Sequence, residues 1–276
     1  MRPEAALDCE VVLTTSGAPA MLDRRTGEVM HPIVGPLVEA ERLYLAPSRL
    51  RSRLSEPDGS ALVLFDVGLG AGSNSVAAFR AAHGLLEPAR RLSIVSFDRS
   101  RAALKLALEC EQSAQFGFDG SARAAARTLL ADGRCLASRV EWRLHEGELP
   151  DSLSREPEAT ADIVFWDPFS PLANPELWNL DAFVRLRRSC RARATVHTYC
   201  AATRVRSALL LAGFSVGLGV SIGPGRDATV AALDPGTLER PLDRRWLERL
   251  RRSSAPFPED APGNALERIG GMAQFR

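Results

Sequence analysis

Three glycines at alternate positions, Gly68, Gly70 and Gly72, follow directly after an apolar run that contains one acid, Asp66. The run has the length of a buried strand, and a helical pattern begins near Asn74. Glycine permits positive φ and lets a ligand approach the backbone, and a helix N-terminus offers free N–H groups. This order of strand, turn and helix predicts that a nucleotide-like cofactor binds at Asp66, Gly68, Gly70, Gly72 and Asn74.

From residue 62 onward, apolar runs of strand length alternate with segments of helical pattern. Such alternation is typical of a mostly parallel sheet covered by helices. The predicted strands span residues 62–67, 92–97, 139–144, 162–166, 194–199, 214–220 and 228–233. The predicted helices span residues 74–83, 100–113, 121–131, 181–190 and 203–212.

The connection between the last two predicted strands, which contains residues 223–227, is too short for a parallel crossover of about a dozen residues. These strands should therefore pair antiparallel. Six parallel strands and a final antiparallel one fit the α/β, Rossmann-like sheet of class I S-adenosylmethionine-dependent methyltransferases. They fit the double Rossmann sheet of NAD-binding proteins less well.

The flanking segments predict two additions to this sheet. Residues 1–58 should form a small N-terminal cap of a β-hairpin and a helix over 35–54. Residues 59–235 then make up the Rossmann-like domain. Residues 236–276 predict a C-terminal arm with a helix over 243–252 and a proline-rich segment, packed on the main domain.

Composition excludes several classes of protein. The net charge of +1 gives no global argument for nucleic acid as a partner. The five cysteines are scattered, so neither a disulfide framework nor a metal site is expected. The N-terminus does not resemble a signal peptide, and no apolar run approaches the ~20 residues of a membrane span. We therefore expect no membrane association and a cytoplasmic location.

Acids that follow the next two strands distinguish between cofactors. Asp98 follows the glycine turn by about thirty residues, whereas NAD-binding folds prefer a G-x-G-x-x-G turn and an acid ~20 residues further on. A carboxylate here can accept both hydroxyls of a ribose, which favours S-adenosylmethionine over NAD, and it can also cap the next helix. After the third strand, Glu148 is the candidate partner of an adenine amino group, with Glu146 as the alternative.

The segment after the fourth strand contains most of the residues that we expect to take part in the reaction. The strand delivers Asp167 to the carboxyl edge of the sheet, where open α/β sheets bind ligands. Prolines at 168, 171 and 175 stiffen the loop that follows. Phe169 and Trp178 predict an aromatic wall for a flat or cationic group, although both can equally be core aromatics.

The segment from Asp167 to Trp178 resembles the D-G-F-x-P-x-x-N-P-x-x-W signature of one methyltransferase family. That family is the methyltransferase domain of the MnmC-type tRNA 5-methylaminomethyl-2-thiouridine biosynthesis proteins. The glycine turn resembles its G-F-G-x-G-x-N motif, and residues 35–40 resemble its G-x-x-x-E segment. Residues 198–214 are similar to its T-x-x-A-A-x-x-V-R-x-x-L-x-x-A-G-F pattern.

The resemblance implies methyl transfer from S-adenosylmethionine to the aminomethyl group of a wobble uridine in tRNA. It gives Asp167 the role of orienting the amine or accepting its proton, with Phe169 holding the amine against the methyl group. The expected cofactor contact in the cap is Glu39. The expected substrate contacts are His31, Pro171, Asn174, Trp178 and Arg204.

This sequence departs from the family in four ways. Ser73 stands in a bulkier slot of the glycine turn, and residues 223–227 replace a common Gly-Arg-Lys-Arg stretch. Pro168 replaces the usual glycine, which bears on the substrate more than on the cofactor. The flavin-dependent oxidoreductase domain of the family is not found before Arg276, so we expect a separate enzyme to supply the aminomethyl precursor.

Several alternatives stay open at this point. Two arginine sets, residues 185–193 and 244–252, either track tRNA phosphates or form solvated helix faces. The acceptor can be a small amine or a protein instead of tRNA. The spacing of Asp162 and Asp167 also occurs in aminopropyltransferases. A binding protein without catalysis is disfavoured because the glycines and acids of the site are all present.

Overall fold

The computed structural model describes residues 9–30, 35–85 and 90–276. The strands in this part of the chain are β1 (Cys9–Leu13), β2 (Pro19–Asp23), β3 (Val29–Met30), β4 (Leu62–Val67), β5 (Leu92–Asp98), β6 (Arg134–Ala137), β7 (Val140–Glu146), β8 (Ala161–Trp166), β9 (Cys190–Thr198), β10 (Ser215–Gly223) and β11 (Arg226–Ala232). The α-helices are α1 (Pro36–Glu39), α2 (Leu50–Leu54), α3 (Ser73–His83), α4 (Ala102–Glu109), α5 (Gly120–Asp132), α6 (Leu180–Ser189), α7 (Thr203–Leu211), α8 (Arg244–Arg251) and α9 (Ala265–Gly270).

The central sheet has eight strands in the order β10-β11-β9-β8-β4-β5-β7-β6. The five strands from β9 to β7 in this order pair in parallel, and all residues of β4 at the centre are buried. The strand β11 pairs antiparallel with both β9 and β10, which confirms the predicted pairing of the last two strands. The predicted class of fold, a mostly parallel Rossmann-like sheet, is therefore confirmed.

Two further strand groups lie outside that parallel set. The edge strand β6 pairs antiparallel with β7 and was not predicted, because it has only four residues and forms a tight hairpin at Ser138, whose φ is 53°. The strands β1, β2 and β3 form a separate three-stranded sheet, which extends the expected N-terminal hairpin.

The continuous helix expected over residues 35–54 is wrong. The segment contains α1, a π-helical turn over Ala40–Leu45 and α2. Pro47 lies in the interruption before α2, and Arg49 adopts a left-handed φ of 56°. Proline cannot donate the backbone hydrogen bond that a helix interior needs, so the helix ends there and restarts in a new direction.

The predicted arm at the C-terminus is an integral part of the core. Trp246 and Leu250 of α8, Ile269 of α9, and Phe275 are buried in the same apolar cluster as α6 and α7, on one face of the sheet. The helices α3, α4 and α5 cover the other face. The Gln274 side chain bonds to the backbone N–H and C=O of Val216, which ties the end of the chain to β10.

Within the described residues, none of the helices combines the length and the apolar character that a bilayer crossing requires.

Candidate active site

A cavity of about 500 Å³ opens at the carboxyl ends of β4, β5, β7 and β8. Its floor is the glycine turn after β4, and its walls are the segments that follow the other three strands. The N-terminal cap and the β10–β11 hairpin complete its rim. Among its lining residues are Glu28, Met30, Glu39, Tyr44, Gly68, Gly70, Ser73, Asn74, Asp98, Glu148, Asp167, Phe169, Asn174, Tyr199, Ile222 and Arg226.

The glycine turn has three left-handed residues, with φ of 89° at Gly68, 52° at Gly70 and 84° at Gly72. A Cβ added at Gly68 would lie 2.7 Å from the carbonyl oxygen of Asp167, which is backbone and cannot swing aside. A Cβ at Gly72 would lie 2.7 Å from a methyl group of Leu104. Glycine at 68 therefore lets the β4 turn and the β8 loop meet at the floor of the cavity.

Asp98 binds the glycine turn as well as lining the cavity. Its Oδ2 accepts a hydrogen bond of 2.8 Å from the N–H of Gly70, and its Oδ1 accepts one of 3.1 Å from the N–H of Ser100. A carboxylate has about four acceptor sites, so both oxygens can still accept from a ligand. Of the two acids after β7, Glu148 lines the cavity, whereas Glu146 forms an ion pair with Arg101.

Two donors within the described residues hold the Asp167 carboxylate. The hydroxyl of Tyr44 donates to Oδ1 at 2.5 Å, and the Nδ2 of Asn74 donates to Oδ2 at 2.7 Å. Burial, together with the charge of Asp167, raises the pKa of Tyr44 well above its ordinary value of 10.0. Tyr44 therefore keeps its proton and remains a donor, while Asp167 keeps acceptor capacity towards the cavity.

The loop after β8 is fixed by contacts from three elements. Glu28, beside β3, accepts hydrogen bonds from the backbone N–H and the hydroxyl of Ser170. The hydroxyl of Tyr199 donates to the carbonyl of Pro168 at 3.0 Å. The indole N–H of Trp178 donates to the carbonyl of Phe169 at 2.8 Å. These bonds hold the backbone that places Phe169 in the cavity wall.

Several of the predicted contacts lie elsewhere. Trp178 is only 2% exposed and packs edge-on against Tyr199, so it supports the loop from the core and does not form the predicted aromatic wall. Pro171 does not line the cavity, and Arg204 donates to its carbonyl at 3.3 Å. Asn174 and Glu39 do line the cavity. His31 falls outside the described residues.

Asp66 lies below the glycine turn and does not line the cavity. It is fully buried, and its Oδ2 accepts hydrogen bonds from the hydroxyls of Ser75 and Ser96. Burial raises the pKa of its carboxyl to about 7, against the lowering effect of the Ser75 hydroxyl. Within the described structure, the geometry gives Asp66 the role of supporting β4 and α3 from beneath.

Sequence reasoning missed Tyr44, Tyr199 and Glu28. The chain has only two tyrosines, and both lie at this cavity, which is a signal the sequence did contain. Glu28 could not be found because its role depends on a long-range contact with Ser170.

The cavity fits an adenosine-containing, positively charged cofactor. Six acids and three arginines line it, so its formal charge is negative. The hydroxyl of Ser73 and the Oδ1 of Asn74 are buried at its wall with no partner in the described part of the protein. Asp98 and Glu148, which the sequence predicts as partners of the ribose hydroxyls and the adenine amino group, both line this cavity. Met30, Leu69 and Leu149 supply the apolar surface that a purine ring needs.

Comparisons with known proteins agree with this description. Residues 130–234 match a family described as S-adenosyl-L-methionine-dependent methyltransferase. The chain is 31% identical over 245 residues to the tRNA 5-methylaminomethyl-2-thiouridine biosynthesis bifunctional protein MnmC of Ralstonia nicotianae, a match that covers 82% of this chain and 35% of that protein. It is 31% identical over 262 residues to the protein of the same name from an Azoarcus species, covering 90% of this chain and 37% of that protein. The chain thus spans about a third of the length of these relatives.

Two solved structures are also similar. MnmC2 from Aquifex aeolicus has a TM-score of 0.74 and 25% identity, covering 97% of this chain and 84% of that one. A spermidine synthase in complex with a transition-state analogue has a TM-score of 0.51 and 11% identity, covering 96% and 84%, so it shares the fold alone. The fold and the cavity define a class I S-adenosylmethionine-dependent methyltransferase. Within that class, the chain belongs to the MnmC-like methyltransferase family.

The close approach at Gly68 predicts the effect of adding one methyl group. Gly68→Ala should lower turnover by about a hundredfold, because Asp167 must shift by roughly an ångström to admit the new Cβ. Gly133→Ala is the matched control: its φ is 72°, but no atom lies within 4 Å, so it carries only the left-handed strain of about 1–2 kcal/mol. Methyl-transfer assays and denaturant unfolding compare the two variants. Equal effects of both on turnover would contradict the close-approach argument.

The burial of Asp66 predicts a pH-dependent stability. Its folded pKa of about 7 exceeds the ordinary value of 3.8, so between about pH 4 and 7 the folded state retains a proton that the unfolded state has lost. This carboxyl therefore destabilises the fold progressively as pH rises through that window, by up to about 1.4 kcal/mol per pH unit. Asp66→Asn should gain stability relative to wild type across the window and level off above pH 7. Urea unfolding at stepped pH measures this, and parallel curves for the two proteins would refute it.

Proposed function

We propose that this protein transfers a methyl group from S-adenosylmethionine to the aminomethyl group of a wobble uridine in tRNA, converting 5-aminomethyl-2-thiouridine to 5-methylaminomethyl-2-thiouridine. The observation that carries the proposal is the Asp167 carboxylate, held by Tyr44 and Asn74 and open to an acidic cavity. Such a site suits an amine as the acceptor. The printed names of the relatives supply the particular amine.

S-adenosylmethionine, when bound, supplies a methyl group on a positively charged sulfur. Asp98, Glu148, Gly70 and Ser73 are the residues that would hold it. Asp167 accepts an N–H of the substrate amine, which directs the nitrogen lone pair away from the carboxylate. The amine gains a positive charge as it is methylated, and the adjacent carboxylate stabilises that charge and can receive the released proton on Oδ1 or Oδ2.

Phe169 confines the acceptor from the side. Its ring lines the cavity next to Asp167, and its own backbone is fixed by Trp178. An aromatic face beside a carboxylate suits a group that is flat, cationic or both, such as a pyrimidine ring that carries an aminomethyl group. The loop thereby restricts both the direction and the size of the acceptor.

The proposal also concerns partners and place of action. A uridine must already carry an aminomethyl group before this reaction, so a separate enzymatic activity has to supply it. A tRNA substrate places the protein in the cytoplasm. The chain spans about a third of the length of these relatives. We therefore propose for it the methyl-transfer step alone, and not the whole activity of those proteins.

The direct experiment uses the purified chain with S-adenosylmethionine and tRNA from a strain that accumulates the aminomethyl nucleoside. We expect mass spectrometry of digested tRNA to show conversion to the methylaminomethyl nucleoside. Parallel reactions contain a set of small amines, and others contain decarboxylated S-adenosylmethionine with those amines. Methylation of small amines but not tRNA, or transfer of an aminopropyl group, would overturn the proposal in favour of a rival with the same fold.

Substitution at Asp167 separates its role from cofactor binding. Asp167→Asn should lower turnover by at least about a hundredfold, because the negative charge of the carboxylate beside the amine is lost. Tyr44→Phe should lower turnover by a smaller factor, about tenfold, because it removes a donor that fixes the carboxylate. Both variants should keep the wild-type affinity for S-adenosylmethionine in calorimetry. An equal loss of cofactor affinity and turnover in Asp167→Asn would make Asp167 a cofactor ligand instead.

A further inference from the structure

The two arginine sets of the sequence lie in very different surroundings. In the first set, Arg185 forms ion pairs with Asp151 and Asp181, and Arg191 forms one with Asp162. This set surrounds Cys190, where β9 begins, so it lies at the amino edge of the parallel strands. The cavity lies at the carboxyl edge. The first set is therefore partly neutralised and far from the site.

The second set lies on α8 and is largely unpaired. Residues 243–252 contain five arginines against two acids. Arg245 and Arg249 are exposed, and no hydrogen bond or ion pair involves their side chains within the described part of the chain. Arg51 and Arg80, by contrast, are exposed arginines that pair with acids. The α8 surface thus keeps a net positive charge.

The edge strand β10 joins this surface to the cavity. Ile222 of β10 lines the cavity, and Leu218 of the same strand lines a depression that Arg245, Arg249 and Arg252 also line. Four residues of extended strand span about 13 Å, which is the distance of two to three nucleotides along an RNA backbone. Two acids, Asp243 and Glu248, also line the depression, and Asp243 caps α8 by accepting from the N–H of Trp246.

Two more arginines lie at the β10–β11 hairpin. Arg226 lines the cavity itself. Arg240 crosses β10, donating to the carbonyl of Gly219 at 3.0 Å and to Asp227 at 2.8 Å. Burial lowers the pKa of Arg206, and the charges of Arg249 and Arg240 lower it further; the Arg206 side chain donates to the Asp227 carbonyl beside the hairpin. We call Arg226, Arg245 and Arg249 the basic edge, and we leave out Arg240 because it forms an ion pair with Asp227.

We propose that the basic edge binds the phosphate backbone of the RNA whose target nucleotide enters the cavity. The inference rests on the proposed function and names the surface that tRNA occupies. The occupant is a polyanion because the surface is positively charged, and guanidinium groups bind phosphate oxygens in paired fashion. An acidic cavity with a basic edge also fits a substrate that presents a cationic amine on an anionic backbone.

The test compares Arg245→Gln/Arg249→Gln with a matched control, Arg187→Gln/Arg188→Gln, which removes two exposed arginines from α6 near the opposite edge. Fluorescence anisotropy measures tRNA affinity over a series of salt concentrations. We expect the basic-edge variant to bind about tenfold more weakly, with the slope of log affinity against log salt reduced by about 2. The control should match the wild type in both quantities. Turnover at saturating tRNA should match the wild type in the control.

Other outcomes separate this inference from the proposed function. Wild-type affinity and salt slope in the basic-edge variant, or an equal loss in the control, would overturn the inference. A wild-type protein that binds tRNA through the basic edge without methylating it would overturn the proposed function alone. Calorimetry with S-adenosylmethionine verifies that each variant is folded. If the double variant loses cofactor binding, Arg249→Gln alone should still reduce the salt slope by about 1, and an unchanged slope there would refute the inference.

Discussion

The hydrogen-bonded Asp167 carboxylate is the interaction on which the organisation of the site depends. It joins the N-terminal cap through Tyr44, α3 through Asn74, and the β8 loop through its own backbone. These three segments are distant in sequence, and none forms a cavity alone. The glycine at 68 makes the junction possible because any side chain there would displace the Asp167 backbone.

The fold, and the meeting of the glycine turn and Asp98 at one cavity, could be predicted because their signals are local. The glycine turn and Asp98 each follow a recognisable strand, and parallel strands bring their carboxyl ends to one edge. Tyr44 could not be found in the same way. It lies on a π-helical turn interrupted beyond Ala46 by Pro47, and a regular helix over residues 35–54 would have placed its side chain elsewhere.

The predictions for Trp178 and Asp66 show where pattern reasoning ends. Both residues lie in segments that shape the cavity, yet both side chains turn into the interior. A motif fixes the path of the backbone more strongly than it fixes which side chain faces the ligand. The arginine sets show the same limitation. Both sequences are similarly rich in arginine, and the structure distinguishes them by the ion pairs with Asp151, Asp162 and Asp181 and by their positions in the fold.

The excess of carboxylates around the cavity has a consequence for turnover. Methyl transfer converts the positively charged sulfonium of the cofactor into a neutral thioether. A negatively charged cavity attracts the sulfonium more strongly than the thioether. The spent cofactor is therefore held less strongly than the methyl donor from the moment it is formed. The acids that attract the donor thereby also favour its exchange after the reaction.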